Sequence, residues 1–215
     1  MTKLKVNEIF LSIQGESSWA GLPCAFVRLT GCPLRCHWCD TAYAYHQGEK
    51  LELEEVLVRV RKLESRLVEV TGGEPLAQEG TPELVRALLA SGHVVLVETS
   101  GALDITALDR RAHIIMDVKC PGSGMSKHTL WPNLDQAGPR DEVKFVLADR
   151  ADYEYARRVV VERSLAGRVG GLLLSPVMGV LEPRLVVEWM LADRLPGRFQ
   201  LQLHKYIWPL EARGV

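Results

Sequence analysis

Three shortages narrow what this 215-residue chain can do. Net charge is nearly absent, because 26 Lys and Arg stand against 27 Asp and Glu and leave a formal −1. So even a balance gives no global attraction to a phosphate backbone, and direct binding of tRNA or DNA has no support. Long hydrophobic runs are missing as well. The stretch from Met1 to Glu8 carries basic residues with no uninterrupted apolar segment behind them, so it does not read as a signal peptide. No segment approaches membrane-spanning length. The third absence is a paired cysteine framework: the chain has 5 cysteines, an odd number, and three of them are bunched. That argues against disulfides and for the reduced thiols of a cytoplasmic protein. Asparagine is also scarce beside abundant Arg and Leu, which fits a thermophile and a GC-rich genome equally well. What remains, 47% hydrophobic and 25% charged, is ordinary globular composition, long enough for a single domain over 1–215 with a large core.

The bunched cysteines are the most informative feature present. Cys32, Cys36 and Cys39 form a C-x3-C-x2-C run, Gly31-Cys32-Pro33-Leu34-Arg35-Cys36-His37-Trp38-Cys39-Asp40-Thr41. Three thiolates this close can hold three irons of a [4Fe–4S] cluster and leave the fourth iron open for chemistry. Spacing alone also allows a zinc site, with His37 or His46 as fourth ligand. A zinc deaminase is excluded, since no His or Cys is followed two positions later by Glu. Cys24 and Cys120 lie outside the run and read as small apolar fillers.

Short β-branched runs alternate with amphipathic ones. Strands are expected at 25–29, 67–71, 94–98, 114–118, 143–147, 172–175 and 199–203. Helices are expected at 53–63, 82–90, 153–162 and 183–191, with a weaker one near 105–110. This alternation implies an α/β fold with a mostly parallel sheet and helices outside it. Ligands of such folds collect at the carboxyl ends of strands. Those ends carry Gly31-Cys32, Thr71-Gly72-Gly73-Glu74-Pro75, Glu98-Thr99-Ser100-Gly101, Asp117-Val118-Lys119, Ser175-Pro176 and His204-Lys205, so polar and glycine-rich residues converge on one rim. In Gly72-Gly73-Glu74-Pro75, paired glycines permit close backbone approach to an amino-acid moiety.

The cysteine run followed by Gly-Gly-Glu-Pro after a strand resembles the radical S-adenosylmethionine (SAM) superfamily. That resemblance implies an incomplete, modified TIM-type (β/α) barrel, because the chain is short for the roughly 250 residues of eight full units. It also implies a [4Fe–4S] cluster on Cys32, Cys36 and Cys39 whose open iron chelates SAM. Trp38, Asp40, Gly73, Glu74, Ser100, Gly101, Lys144, Ser175 and Pro176 are then the expected SAM contacts.

The resemblance extends over nearly the whole chain to the 7-carboxy-7-deazaguanine synthase family, the ring-contracting lyases of queuosine and deazapurine biosynthesis. It is carried by Ser12-Ile13-Gln14-Gly15-Glu16, Phe26-Val27-Arg28-Leu29, Cys39-Asp40-Thr41, Asp117 to Gly124, Asp141 to Val146 and Gln202-Leu203-His204-Lys205-Tyr206. By that resemblance, Thr41 binds Mg²⁺. Ile13, Gln14, Gly15, Glu16, Arg28, Thr99, His204 and the C-terminal Val215 meet the substrate, 6-carboxy-5,6,7,8-tetrahydropterin. Planar Arg28 suits its carboxylate, and Gln14 and Glu16 suit its pterin edge. The family chemistry is reductive cleavage of SAM to a 5′-deoxyadenosyl radical, hydrogen abstraction from C6, contraction of the pyrazine ring and loss of ammonia. A homodimer and a flavodoxin-like electron donor are further implications. Residues 1–23 are the expected substrate segment, and the Pro/Gly-rich connection 119–141 is expected to close over both ligands. Two rivals stay open at this level: an activase that makes a glycyl radical on a partner protein, and a zinc-stabilised binding protein.

Overall fold

The computed structural model describes residues 2–215. In chain order its elements are β1 (Lys3–Ile13), β2 (Pro23–Leu29), β3 (Glu49–Glu52), α1 (Leu53–Arg61), β4 (Leu67–Gly72), α2 (Thr81–Ala90), β5 (Val94–Thr99), β6 (His113–Asp117), α3 (Pro132–Gln136), β7 (Glu142–Leu147), α4 (Arg150–Glu162), β8 (Gly171–Pro176), α5 (Pro183–Asp193), β9 (Arg198–Phe199) and α6 (His204–Ile207). The nine strands form one sheet in the order β3-β1-β2-β4-β5-β6-β7-β8-β9. From β2 onward every neighbouring pair is parallel, while β1 runs antiparallel to both β2 and β3.

Each parallel crossover advances to the next strand, so right-handed connections keep the helices on one side and curl the sheet around the other. The end strands β3 and β9 do not pair with each other, which makes the barrel incomplete as expected. Val56 and Val60 of α1, Leu84, Val85 and Leu88 of α2, Tyr153, Ala156 and Val160 of α4, and Val186 and Met190 of α5 join the outward-facing strand residues in one core. Burial of each such side chain stabilises the fold by about 1.5–3 kcal/mol relative to exposure. The polar face of α1 stays in solvent, where Arg59 pairs with Glu55 and Arg61 with Glu54. Among the described residues no helix is long and apolar enough to cross a membrane.

One expected element does not form and another is cut short. Residues 105–110 are turns rather than a helix. Asp104 accepts from Thr106 N (2.9 Å) and Asp109 from Arg111 N (3.0 Å), so side chains take backbone donors that a helix would need. The strand expected over 199–203 stops at Phe199. Beyond it, Gln200 turns to Ser17 and Leu203 N donates to Gly15 O at 2.9 Å. The long β1 and short β3 were not legible. A bulge between Val6 and Glu8 breaks the alternation of β1, so its apolar residues never hold one phase. The 119–141 connection contains two short 3₁₀ turns and α3. It is tied down by Asp152, whose carboxylate accepts from Gly122 N (2.8 Å), and by Asn133, which donates to Gly101 O (3.1 Å) and Leu103 O (2.8 Å).

Candidate active site

Side chains alternate between the two faces of each strand, and the concave face changes character along its length. Near the strand starts it is apolar: Cys24, Phe26, Leu67, Leu96 and Ile115 form a second core, packed against Phe10, Trp19 and Val94. Further along the same face stand Arg28, Glu69, Thr71, Glu98, Asp117 and Lys144, and all six line one cavity. An apolar floor beneath charged walls makes those charges strong, because little water reaches them.

Cys32, Cys36 and Cys39 are partly exposed and line that same cavity, with Trp38, Asp40 and Thr41 beside them. The Gly-Gly-Glu-Pro turn holds the cysteine loop in place. Glu74 N donates to Gly31 O at 2.7 Å and Gly73 N to Leu29 O at 3.2 Å. A Cβ on Gly73 would overlap Gly31 O and sit 2.7 Å from Cys32 Cβ, so only glycine lets the two loops touch. Glu74 itself is fully buried. Its carboxylate accepts from Leu76 N (3.0 Å), Thr99 Oγ1 (2.8 Å) and Ser100 N (2.7 Å). Glu74 thus fixes the end of β5, where Thr99 and Ser100 reach the cavity, while Glu74 and Gly101 stand behind its wall. Ser175 and Pro176 are likewise not part of the wall, and Ser175 Oγ is buried without a partner.

The donor set suits an iron–sulfur cube better than zinc. His37 is turned away, with Nδ1 2.9 Å from Gly122 O and its ring against Gly124. His46 is exposed and lies edge-on to Tyr45. Among the described residues no group of three or more His, Cys, Asp or Glu side chains is arranged around a single ion. A cube spreads its thiolates over separate irons, and three thiols along one wall match that demand. Cys24 and Cys120 are free and buried in the core.

The opposite wall comes from the two chain ends. Ile13, Gln14, Gly15 and Glu16 follow β1, and His204 and Val215 come from the C-terminal segment; all line the cavity. Gln200 ties the ends together, accepting from Ser17 N (3.0 Å) and donating to Ser17 O (2.7 Å), while Gln202 donates to Glu16 (2.8 Å). The His204 ring lies directly on Gly15, where an added Cβ would overlap Nδ1. The tail is held by Arg213, which stacks 4.2 Å over the Tyr43 ring.

Charge is concentrated on Lys144, which is 3% exposed at its side chain and pairs with Glu16 (2.7 Å), Glu98 and Asp117 (3.7 Å). Burial alone would lower its pKa, but Glu16, Glu98 and Asp117 outweigh it and push it well above the ordinary range. Burial would raise Glu16, yet Lys144 and His204, with the bonds from Lys144 and Gln202, hold it down at about 2. Glu69 goes the other way: burial first, then Glu98, pushes it well above the carboxylate range. Arg28 Nε donates to Glu8 Oε1 at 2.7 Å, and Tyr43 donates to the same oxygen at 2.8 Å. Burial, with that bond, raises Tyr43 to about 12. Asp40 pairs with Lys205 at 2.7 Å, and Thr41 Oγ1 lies 3.8 Å from Cys39 Sγ.

Sequence reasoning missed Glu8, Tyr43 and Glu69. The available signal for Glu69 was a charged residue in phase with Leu67 and Thr71 inside an otherwise apolar strand, Leu67-Val68-Glu69-Val70-Thr71.

Residues 26–160 match the family model described as the radical SAM superfamily. The chain is 49% identical over 215 residues to 7-carboxy-7-deazaguanine synthase of Chlorobaculum tepidum, covering 99% of this chain and 97% of that protein. It is 43% identical over 228 residues to the enzyme of the same name from Koribacter versatilis, covering 99% and 100%. The fold is similar to a crystal structure of QueE from Escherichia coli, with a TM-score of 0.78, 24% identity and coverage of 94% and 95%. With the cysteine loop, the glycine turn and the joined chain ends around one cavity, and with relatives matched from end to end, this chain belongs to the 7-carboxy-7-deazaguanine synthase family of the radical SAM superfamily.

Proposed function

We propose that the chain converts 6-carboxy-5,6,7,8-tetrahydropterin to 7-carboxy-7-deazaguanine with loss of ammonia, and that it does so in the cavity described above. The observation that carries the reading is the meeting of the three thiols with Arg28, Gln14, Glu16 and His204 in one cavity. Cys32, Cys36 and Cys39 would hold the [4Fe–4S] cluster, and SAM bound to it would supply a carbon-centred radical. The Gly73 backbone, Trp38, Asp40 and Ser100, all on the cavity wall, would contact the cofactor, with Glu74 and Gly101 supporting Ser100 from behind. Ser175 and Pro176 keep a SAM role in this proposal only at the margin, since neither reaches the cavity wall.

Arg28 is oriented through Nε by Glu8, so its terminal nitrogens remain for the substrate carboxylate. Glu16, kept ionised by Lys144, accepts from ring donors, and Gln14, Thr99, His204 and Val215 complete the enclosure. The hard oxygen of Thr41, beside the Asp40 carboxylate, suits Mg²⁺. Residues 1–23 supply much of the substrate wall, and the 119–141 connection supports the cysteine loop through His37 N, which donates to Ser123 O at 3.1 Å. A flavodoxin-like donor, a homodimer and a cytoplasmic setting complete the proposal. The glycyl-radical activase and zinc-scaffold readings give way to that family.

The test is anaerobic turnover of the carboxytetrahydropterin with reconstituted enzyme, SAM, Mg²⁺ and a chemical reductant. Deazaguanine product is expected; none from an enzyme with a full cluster rejects the proposal. A second expectation concerns Gly15→Ala. Its methyl must displace His204, and a misplacement near 1 Å costs about 10²-fold in kcat/KM. Wild-type kcat/KM in this variant would show that the His204–Gly15 contact does not position the substrate.

A further inference from the structure

Glu69 is a buried carboxyl that the roles assigned above leave unused. It is 2% exposed and projects from the middle of β4 onto the cavity floor, just past the apolar layer of Phe26, Leu67 and Leu96. Its one hydrogen-bonding partner among the described residues is Gln14, whose Nε2 donates to Oε2. The second oxygen, Oε1, takes no protein donor. A buried carboxyl with one partner is costly, and no cation of the site pairs with it directly, although Lys144 lowers its pKa from a distance. The ion pairs of Lys144 go instead to Glu16, Glu98 and Asp117.

The group lacks N–H donors, and it lacks them on the side facing the ligand. Gln14 Oε1 is in turn held by Glu16 N at 3.0 Å, so the Gln14 amide cannot rotate to serve Glu69 differently. Arg28 is drawn by Glu8 toward β1, which leaves the floor between β4 and β5 free of guanidinium. A flat ring whose carboxylate end lies at Arg28 can therefore turn its other end to Glu69.

We propose that Glu69 reads the pyrimidinone edge of the pterin, accepting hydrogen bonds from the ring N–H and the adjacent 2-amino group. This rests on the function proposed above and adds a specificity residue to it. Two donors side by side match the two oxygens of one carboxylate. The groups facing Glu69 are Gln14 and Glu16 after β1, Cys24 on β2, Glu98 on β5 and Lys144 on β7. In the ligand-free chain, burial and Glu98 push the carboxyl well above the ordinary carboxylate range and so favour its protonated form. Donors from the ligand favour the ionised form, so binding expels the Glu69 proton to buffer.

The experiment is calorimetric titration of the anaerobic, reconstituted enzyme with SAM but no reductant, in buffers of different ionisation enthalpy. Ligands are 6-carboxytetrahydropterin and its 2-deamino analogue. Wild type should release protons on binding the pterin, up to one per site, and prefer the amino form. Glu69→Gln, which preserves size and offers Gln14 an acceptor, should release none. It should bind the pterin roughly ten- to hundred-fold more weakly, while its affinity for the analogue changes little. Iron content and SAM affinity equal to wild type confirm that the variant is folded. Equal proton release in the two proteins, or an unchanged preference for the amino form, overturns the role of Glu69. If wild type turns over no pterin at all, the proposed function itself fails and the inference falls with it.

Discussion

Cys36→Ala is expected to leave a folded chain that retains no intact cluster: iron and sulfide fall from about four each per chain to near background. Turnover should drop below detection, a loss of at least about 10⁴-fold. The thiol serves no structural purpose that would confuse the outcome. Cys36 is partly exposed on the cavity wall, and its recorded bond is through its backbone carbonyl to Cys39 N at 3.3 Å. No fourth thiol is at hand, because Cys24 and Cys120 lie in the core. His37 cannot substitute while its ring is held against Gly122 and Gly124. Far-ultraviolet circular dichroism should match wild type, and the charge-transfer absorbance of reconstituted protein should vanish. A variant that kept wild-type iron and a wild-type spectrum would remove the cysteine triad from the site and with it the radical mechanism.

What could be read from sequence follows from how local each signal is. The cysteine run and the Gly-Gly-Glu-Pro turn each occupy one loop, so spacing alone displays them. The strands β4, β5, β7 and β8 were legible because parallel strands buried on both faces read as apolar runs, such as Val94-Val95-Leu96-Val97. Where side chains compete for backbone donors, periodicity misleads, as it did over 105–110. Residues 200–203 failed for another reason: their backbone and side chains are claimed by Gly15, Glu16 and Ser17, some 185 positions earlier. The same distance effect hid Glu69. Its partner Gln14 is 55 residues away, and the local cue, a charge inside an apolar strand, does not say what the carboxyl meets. Likewise, the Glu8 that orients Arg28 became visible only through the β1–β2 register, which sets the two side by side.

Lys144→Met should be the most destabilising single change in the cavity, lowering unfolding free energy by about 3–5 kcal/mol at pH 7.5. Methionine keeps the length and apolar stem, so packing changes little. What is lost is the one ammonium shared by Glu16, Glu98 and Asp117. Asp117 keeps Lys119 at 2.7 Å, but the other two lose their cation. The pH dependence identifies the cause. In wild type, Glu16 is held near 2 against an ordinary 4.5, so its contribution is complete above 4.5 and disappears as pH falls toward 2. In the variant only His204 and the Gln202 bond oppose burial, so the Glu16 pKa rises from about 2 and that contribution shrinks. Loss of that contribution widens the gap between the proteins toward neutral pH and narrows it in acid. Urea unfolding of the metal-free chain under reducing conditions measures this directly. Adding Glu98→Gln should recover part of the loss, because the two positions share one interaction. A gap that stayed constant with pH would trace the loss to packing rather than to stranded carboxylates.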